Sequence, residues 1–295
     1  MDLVINSKGL RDREYTYEKP PGTRRILCLG DSYTLGYGVS VEEAYPNVLE
    51  RILNERRLLG CRWQVINAGV ANTGTAHQLA YFEAEGRKYQ PDLVLCCLCS
   101  ANDFADNVAS HLYEYRDQTL TKRDSYPTGP LRLQYMVQRI PGYQILFRRS
   151  HLATFVKYRV AEYMSQRNRA ARARRPERTA AAEERADELA RRLILALRDA
   201  CARENTEFLL TVVPEYESCA ISDRAVPLVR YTEARGVAFL DLSVRFRDRA
   251  AAGIQDFFPV DHHWNRSGHR LAAEIIYDDL AQRANADAPR ARSVH

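Results

Sequence analysis

The stretch RILCLGDSYTLGYGV, residues 25–39, is an apolar run that breaks into small and polar residues with Ser32 at the break. Far along the chain, DFFPVDHHWNRSGHRLAAE (256–274) gathers Asp261, His262 and His263 in one loop ahead of an apolar-periodic segment. A serine hydroxyl is a poor nucleophile until an imidazole takes its proton, and that imidazole needs an acceptor on its other nitrogen to fix its tautomer. His77, His111 and His151 have no acidic neighbour in such a loop, whereas the 256–274 segment offers imidazole and carboxylate together. A tetrahedral intermediate also needs hydrogen-bond donors. Two further stretches, NAGVANTGT from Asn67 and SANDF from Ser100, supply candidates. Asn102 carries a side-chain amide, and the small residues of the first stretch let backbone N–H groups come close to a ligand. Each stretch alone also reads as cap or turn chemistry. Together they provide the separate parts that acyl transfer requires.

These residues need a frame that brings them to one place. Short aliphatic runs at 25–30, 64–69, 92–100, 207–213 and 237–242 end in Gly, Ser, Pro or Asp, as buried parallel strands do. Helical patterns lie between and after them, at about 43–57, 75–89, 180–204, 222–235 and 267–285, with Ser267 expected to cap the last. Strands alternating with helices predict an α/β fold with a parallel sheet covered on both faces. In such sheets ligands collect at the carboxyl ends of the strands, where Ser32 and the Asn67 and Ser100 stretches all fall.

A chain of 295 residues, 45% hydrophobic, is long enough for a sizeable core. Its net charge of +5 is uneven: residues 148–178 hold ten Lys/Arg against Glu162 and Glu177, net +8, which leaves about −3 for the rest. From about Phe104 to Thr179 no convincing strand appears, so 106–179 is expected to be a helical, basic insertion, a lid over the strand ends. The core is then 1–105 with 180–285, and 286–295 a flexible tail. The basic stretch lacks aromatic interleaving, zinc-finger spacing or an RNA-binding signature, so no nucleic-acid partner is expected. No G-x-G-x-x-G follows the first strand, which disfavours a dinucleotide enzyme. No apolar run has the length of a signal peptide or a transmembrane helix, and the protein is expected to be cytoplasmic. Seven scattered cysteines suit reduced thiols. Within CCLC, strand alternation puts Cys97 and Cys99 on one face and Cys96 on the other, as buried apolar side chains and not as metal ligands.

In their order along the chain, GDSYTLGYGV, NAGVANTGT, PDLVLCCLCSANDF and DHHWNRSGHRLAAE resemble the SGNH/GDSL hydrolase superfamily. The likeness covers 5–105 and 205–282, including the N-terminal NSKGLRDRE. It implies a flavodoxin-like three-layer α/β/α sandwich and serine-based hydrolysis or transfer of acyl groups with no metal or cofactor. Ser32 is then the nucleophile, His263 the base and Asn102 the side-chain oxyanion donor. Two departures stand out. The family's oxyanion loop usually ends in glycine where this chain has Asn72, which keeps its backbone N–H; Asn72 is the candidate, with Gly69 in reserve. The commoner spacing sets the acid three positions before the histidine, where this chain has Val260, so the acid is assigned to Asp261, and His262 is a rival base. The expected function is hydrolysis of a small-molecule carboxyl ester or thioester through an acyl-enzyme. An O-acyltransferase using the same triad is the alternative, and a non-catalytic module binding an anionic partner is a further one. The basic insertion is expected to favour anionic or amphiphilic ligands.

Overall fold

The computed structural model describes residues 4–123, 150 and 176–291. In chain order the elements are β1 (Thr23–Gly30), α1 (Ser32–Leu35), α2 (Tyr45–Glu55), β2 (Arg62–Gly69), α3 (Thr75–Ala84), β3 (Leu93–Leu98) and α4 (Asp103–Ser110). They continue with β4 (Tyr113–Arg116), β5 (Thr119–Lys122), α5 (Pro176–Arg203), β6 (Glu207–Val212), α6 (Ala225–Glu233), β7 (Ala238–Leu240), α7 (Ser243–Ala251) and α8 (Arg266–Ala291). Two compact units emerge, residues 1–110 with 189–295, and residues 111–188.

In the first unit five parallel strands run in the order β2-β1-β3-β6-β7. Alternation along each strand splits their side chains between two cores. Ile26, Cys28, Leu95, Cys97 and Leu209 join a cluster with Val48, Leu49 and Ile52 of α2, Phe246 of α7, and Leu271 and Ile275 of α8. On the opposite face the Cys96 thiol donates to Gln78 of α3 at 3.2 Å, and Cys201 of α5 lies beside it. Helices therefore cover both faces of the sheet, the three-layer α/β/α arrangement. Cys97 and Cys99 share one core while Cys96 points into the other, and all seven thiols are free.

Two local expectations are corrected. Helix α8 is capped by Asn265, whose Oδ1 accepts from the N–H groups of Ser267 at 2.8 Å and Gly268 at 3.1 Å; Ser267 sits inside the first turn and accepts from Arg249. Beyond Phe104, α4 runs to Ser110. Beyond it, in the second unit, β4 and β5 form an antiparallel hairpin where no convincing strand was expected. Its turn holds Asp117 and Gln118 at φ 50° and 60°, a geometry usually signalled by glycine, so the turn cue was missing. Most of the expected 106–179 insertion, with the basic stretch, and the last residues of the expected tail lie outside the described residues.

Strand β2 is an edge strand, and its outward backbone groups are occupied by side chains. Asn54 pairs with both the N–H and the carbonyl of Trp63, Glu50 accepts from Val65 N–H, and Asp12 accepts from Asn67 N–H at 2.8 Å. The Tyr15 hydroxyl donates to the Val65 carbonyl. Such blunting removes the template for strand addition that an open edge presents. The N-terminal arm that supplies Asp12 and Tyr15 also sends in Arg11, 2% exposed, whose guanidinium donates to the carbonyls of Leu35, Gly36 and Val39 at 2.7–2.9 Å. Arg25 of β1 grips the arm in return through the carbonyls of Thr16, Tyr17 and Glu18.

Gly30 and Gly69 end β1 and β2 in register. A Cβ on Gly69 would lie 2.2 Å from Leu35 N, and one on Gly30 would lie 2.1 Å from Thr34 Oγ1. Helix α1 can settle on the strand ends only because both positions lack a side chain. Gly69→Ala is expected to destabilise the fold by about 2–3 kcal/mol, since the clash is with backbone. A urea midpoint equal to the parent's would contradict this. Burial lifts the Asp12 carboxyl to about 6, against the pull of the Asn67 and Arg13 N–H groups. The folded state thus holds this proton more tightly than the unfolded chain, where Asp titrates at about 4. Its stabilising effect is complete below that value and is lost as pH rises through 6. Asp12→Asn keeps an acceptor for Asn67, so parent stability should fall relative to the variant between about pH 4 and 7; parallel urea profiles would count against it.

Candidate active site

At the end of β1 the chain turns into the four-residue α1, with Asp31 as its cap: the Asp31 carboxyl accepts from Tyr33 N–H at 3.0 Å. Ser32 is the first helical residue, raised at the carboxyl end of the sheet. Its Oγ lies 2.8 Å from His263 Nε2, across 231 positions of sequence. For the hydroxyl to donate, Nε2 must be unprotonated, which puts the ring proton on Nδ1. Nδ1 faces Asp261 Oδ1 at 3.5 Å, beyond ordinary hydrogen-bond length, and the same oxygen accepts from His263 N–H at 3.1 Å. The Asp261 side chain is 42% exposed, so water screens its charge.

The loop that carries His263 is pinned on several sides. Phe258 N–H donates to the His263 carbonyl at 2.7 Å, His262 N–H to the Phe258 carbonyl at 3.0 Å, and Asn265 N–H to the Asp256 carbonyl at 3.0 Å. Gly268 lets α8 start against that loop, because a Cβ there would meet the Asp256 carbonyl oxygen at 2.1 Å. Trp264 is wholly buried, stacked on Phe246 at 5.4 Å and edge-on to Tyr33 and His269 at 5.1 and 5.7 Å. Burial drives the His269 imidazole down to about 3, and its Nδ1 accepts from Tyr45 N–H. The Tyr33 hydroxyl donates to the His262 carbonyl at 2.8 Å, and the rings of Tyr33 and Tyr37 flank the His263 ring at 4.9 and 4.8 Å.

His262, the rival base, takes φ 64° and lays its ring on Tyr216 at 4.0 Å, while His263 meets the serine. Among the oxyanion candidates, the Gly69 N–H already donates to Asn67 Oδ1 at 3.0 Å. Asn72 adopts φ 59° in the exposed turn after β2, a conformation asparagine tolerates. Asn102 stands between β3 and α4, held by its N–H on the Cys99 carbonyl at 3.3 Å, and its Nδ2 donates to Asp106 at 2.8 Å. Its amide also borders the Asp31 carboxyl, which ties it to the serine turn.

Asp31 and Asp103 are buried behind this turn. Burial raises both carboxyls, and each is near the other, with the Tyr33 N–H and the Asn102 side chain drawing Asp31 partly back. Carboxyls pushed towards their neutral form place less negative charge behind a developing oxyanion. The sequence pointed to Ser32, His263, Asp261 and Asn102, but not to Tyr33, Tyr37, Trp264 or Asp106. Trp264, a large apolar residue directly after the histidine and between polar neighbours, was the one visible signal.

The sequence profile of the GDSL-like Lipase/Acylhydrolase family matches residues 28–225. Among solved structures, the chain is similar to a two-domain esterase (CEX) active on acetylated mannans, co-crystallised with mannopentaose: TM-score 0.52, 15% identity, over 89% of this chain and 50% of that one. It is also similar to LAE5, an alpha/beta hydrolase enzyme from the metagenome of Lake Arreo, Spain: TM-score 0.50, 13% identity, over 90% and 97% of the two chains. The chain spans about half the length of the mannan esterase. At such identities the likeness is one of fold. No curated protein matched the chain by sequence. With the profile running from within β1 to the start of α6, over four of the five strands of the parallel sheet and about two thirds of the chain, this protein belongs to the GDSL-like lipase/acylhydrolase family.

Proposed function

We propose that the protein is an SGNH-type serine esterase that hydrolyses small-molecule carboxyl esters or thioesters through an acyl-enzyme on Ser32. The observation that carries this reading is the 2.8 Å contact between Ser32 Oγ and His263 Nε2, groups from opposite ends of the chain. Ser32 Oγ attacks the substrate carbonyl carbon while His263 Nε2 takes the hydroxyl proton. The carbonyl oxygen becomes an oxyanion, met by the Asn102 amide and the backbone N–H groups of Ser32 and Asn72. As the tetrahedral intermediate collapses, His263 returns the proton to the departing alkoxide or thiolate. Water, deprotonated by the same imidazole, then releases the acid and restores the serine. Asp261 steadies the imidazolium from Nδ1, but as an exposed partner at 3.5 Å it does so weakly.

An activity-based fluorophosphonate should label the parent and not Ser32→Ala, and the variant should lose hydrolysis of a panel of short and long acyl esters. A folded parent that fails to take the label would favour the non-catalytic reading. Asn102→Ala is expected to lower kcat by about 10²- to 10³-fold, the usual loss for one oxyanion donor. Asp261→Asn should lower kcat only about fivefold, the scale of a screened pair; a loss as deep as that of His263→Ala would show that the acid acts as a buried one does. Product analysis with an added alcohol acceptor separates hydrolysis from acyl transfer.

A further inference from the structure

We propose that Asp106 is a positioning residue for Asn102: its carboxylate holds one N–H of the amide so that the other faces the Ser32 turn. This rests on the assignment of Asn102 as an oxyanion donor. The Asn102 Nδ2 to Asp106 Oδ2 distance is 2.8 Å. A carboxylate only accepts, so the nitrogen and not the oxygen of the amide must face it, and the orientation of Asn102 follows from chemistry. The backbone makes the contact rigid. Ala105 and Asp106 N–H both donate to the Asn102 carbonyl at 2.9 Å, which places Asp106 one turn further along on the same helix face.

An asparagine ahead of a helix ordinarily turns its oxygen onto an N–H of the first turn. Here Asn102 gives that role up and turns its nitrogen onto Asp106. With one hydrogen committed to Asp106, the second is left for the side of the Asp31 carboxyl, which the amide also approaches. Asp31 immediately precedes the nucleophile. A donor already oriented needs no reorganisation when charge develops, and that preorganisation is what makes an oxyanion site effective. Asp106 is half-buried, so solvent screens its negative charge while the hydrogen bond stays directional. Asp106 also lies near His77 of α3, so the variants must separate loss of charge from loss of the acceptor.

The test is a double-mutant cycle on ester hydrolysis with Asn102→Ala, Asp106→Ala, Asp106→Asn and Asn102→Ala/Asp106→Ala. Asp106→Ala should lower kcat about tenfold with KM nearly unchanged, because a loosened donor loses part of its alignment. Asp106→Asn keeps an oxygen acceptor and should recover most of that loss, and the double variant should be no slower than Asn102→Ala alone. Asp106→Leu, similar in size and without an acceptor, should repeat the alanine result and serves if the alanine variant does not fold. A slow Asn102→Ala beside an unaffected Asp106→Ala, or losses that multiply in the double variant, would overturn the proposal alone. An Asn102→Ala variant with unchanged kcat would remove Asn102 from the reaction, and the role of Asp106 with it.

Discussion

The seating of Trp264 in the aromatic core is the constraint on which the rest of the site depends. His263 belongs to a loop, and a loop imidazole has no fixed position unless something next to it is fixed. The indole is wholly buried among Phe246, Tyr33, Tyr45 and His269. Burying a side chain of that size is worth on the order of 4–6 kcal/mol of transfer free energy, enough to anchor a short segment against its conformational entropy. Tyr33 uses both ends of its side chain: its ring packs on Trp264 and His263 while its hydroxyl holds the His262 carbonyl. Because Tyr33 follows Ser32 directly, the residue that anchors the histidine loop also belongs to the helix that carries Ser32.

A second constraint acts from below. Ser32 stands on a helix of only four residues, too short to persist alone, so its place is set by what it rests on. Gly30 and Gly69 give it room on the strand ends, Asp31 caps it, and Arg11 collects the carbonyls at its far end and in the loop beyond. Arg11 lies outside the span matched by the family profile. The N-terminal arm is therefore structural in two ways, closing the β2 edge and tying down the turn after Ser32. Against this closely held serine and histidine, Asp261 is exposed and stands 3.5 Å from the His263 ring, so the Ser32–His263 contact is the firm part of the site and Asp261 its loosely held neighbour.

Particular elements show how far pattern and chemistry can be read without coordinates. The five strands were legible because each is a short aliphatic run with a breaker at its end, the appearance of parallel strands covered by helices. Cys96, Cys97 and Cys99 divided between two cores as a period of two requires. The β4–β5 hairpin was hidden because Asp117 and Gln118 take positive φ without glycine. The cap of α8 was misplaced by two residues because Ser267 and Asn265 are both good caps; in the fold Asn265 takes the first-turn N–H groups while Ser267 turns to Arg249.

The amino-acid sequence by itself determined the chemical groups and the end of the sheet at which they gather, since strand order and residue type are local properties. It named Ser32, Asp261, His263 and Asn102, with His262 as the rival to His263. Only the tertiary structure decided between those two imidazoles, turning His262 onto Tyr216 and His263 onto Ser32. It also decided that the Gly69 N–H is spent within its own strand end and that Asn102 faces Asp106. The physical reason is common to all three: the direction of a side chain or an N–H is set by its packed neighbours, most of them distant in sequence, and nothing in a residue's identity carries that direction.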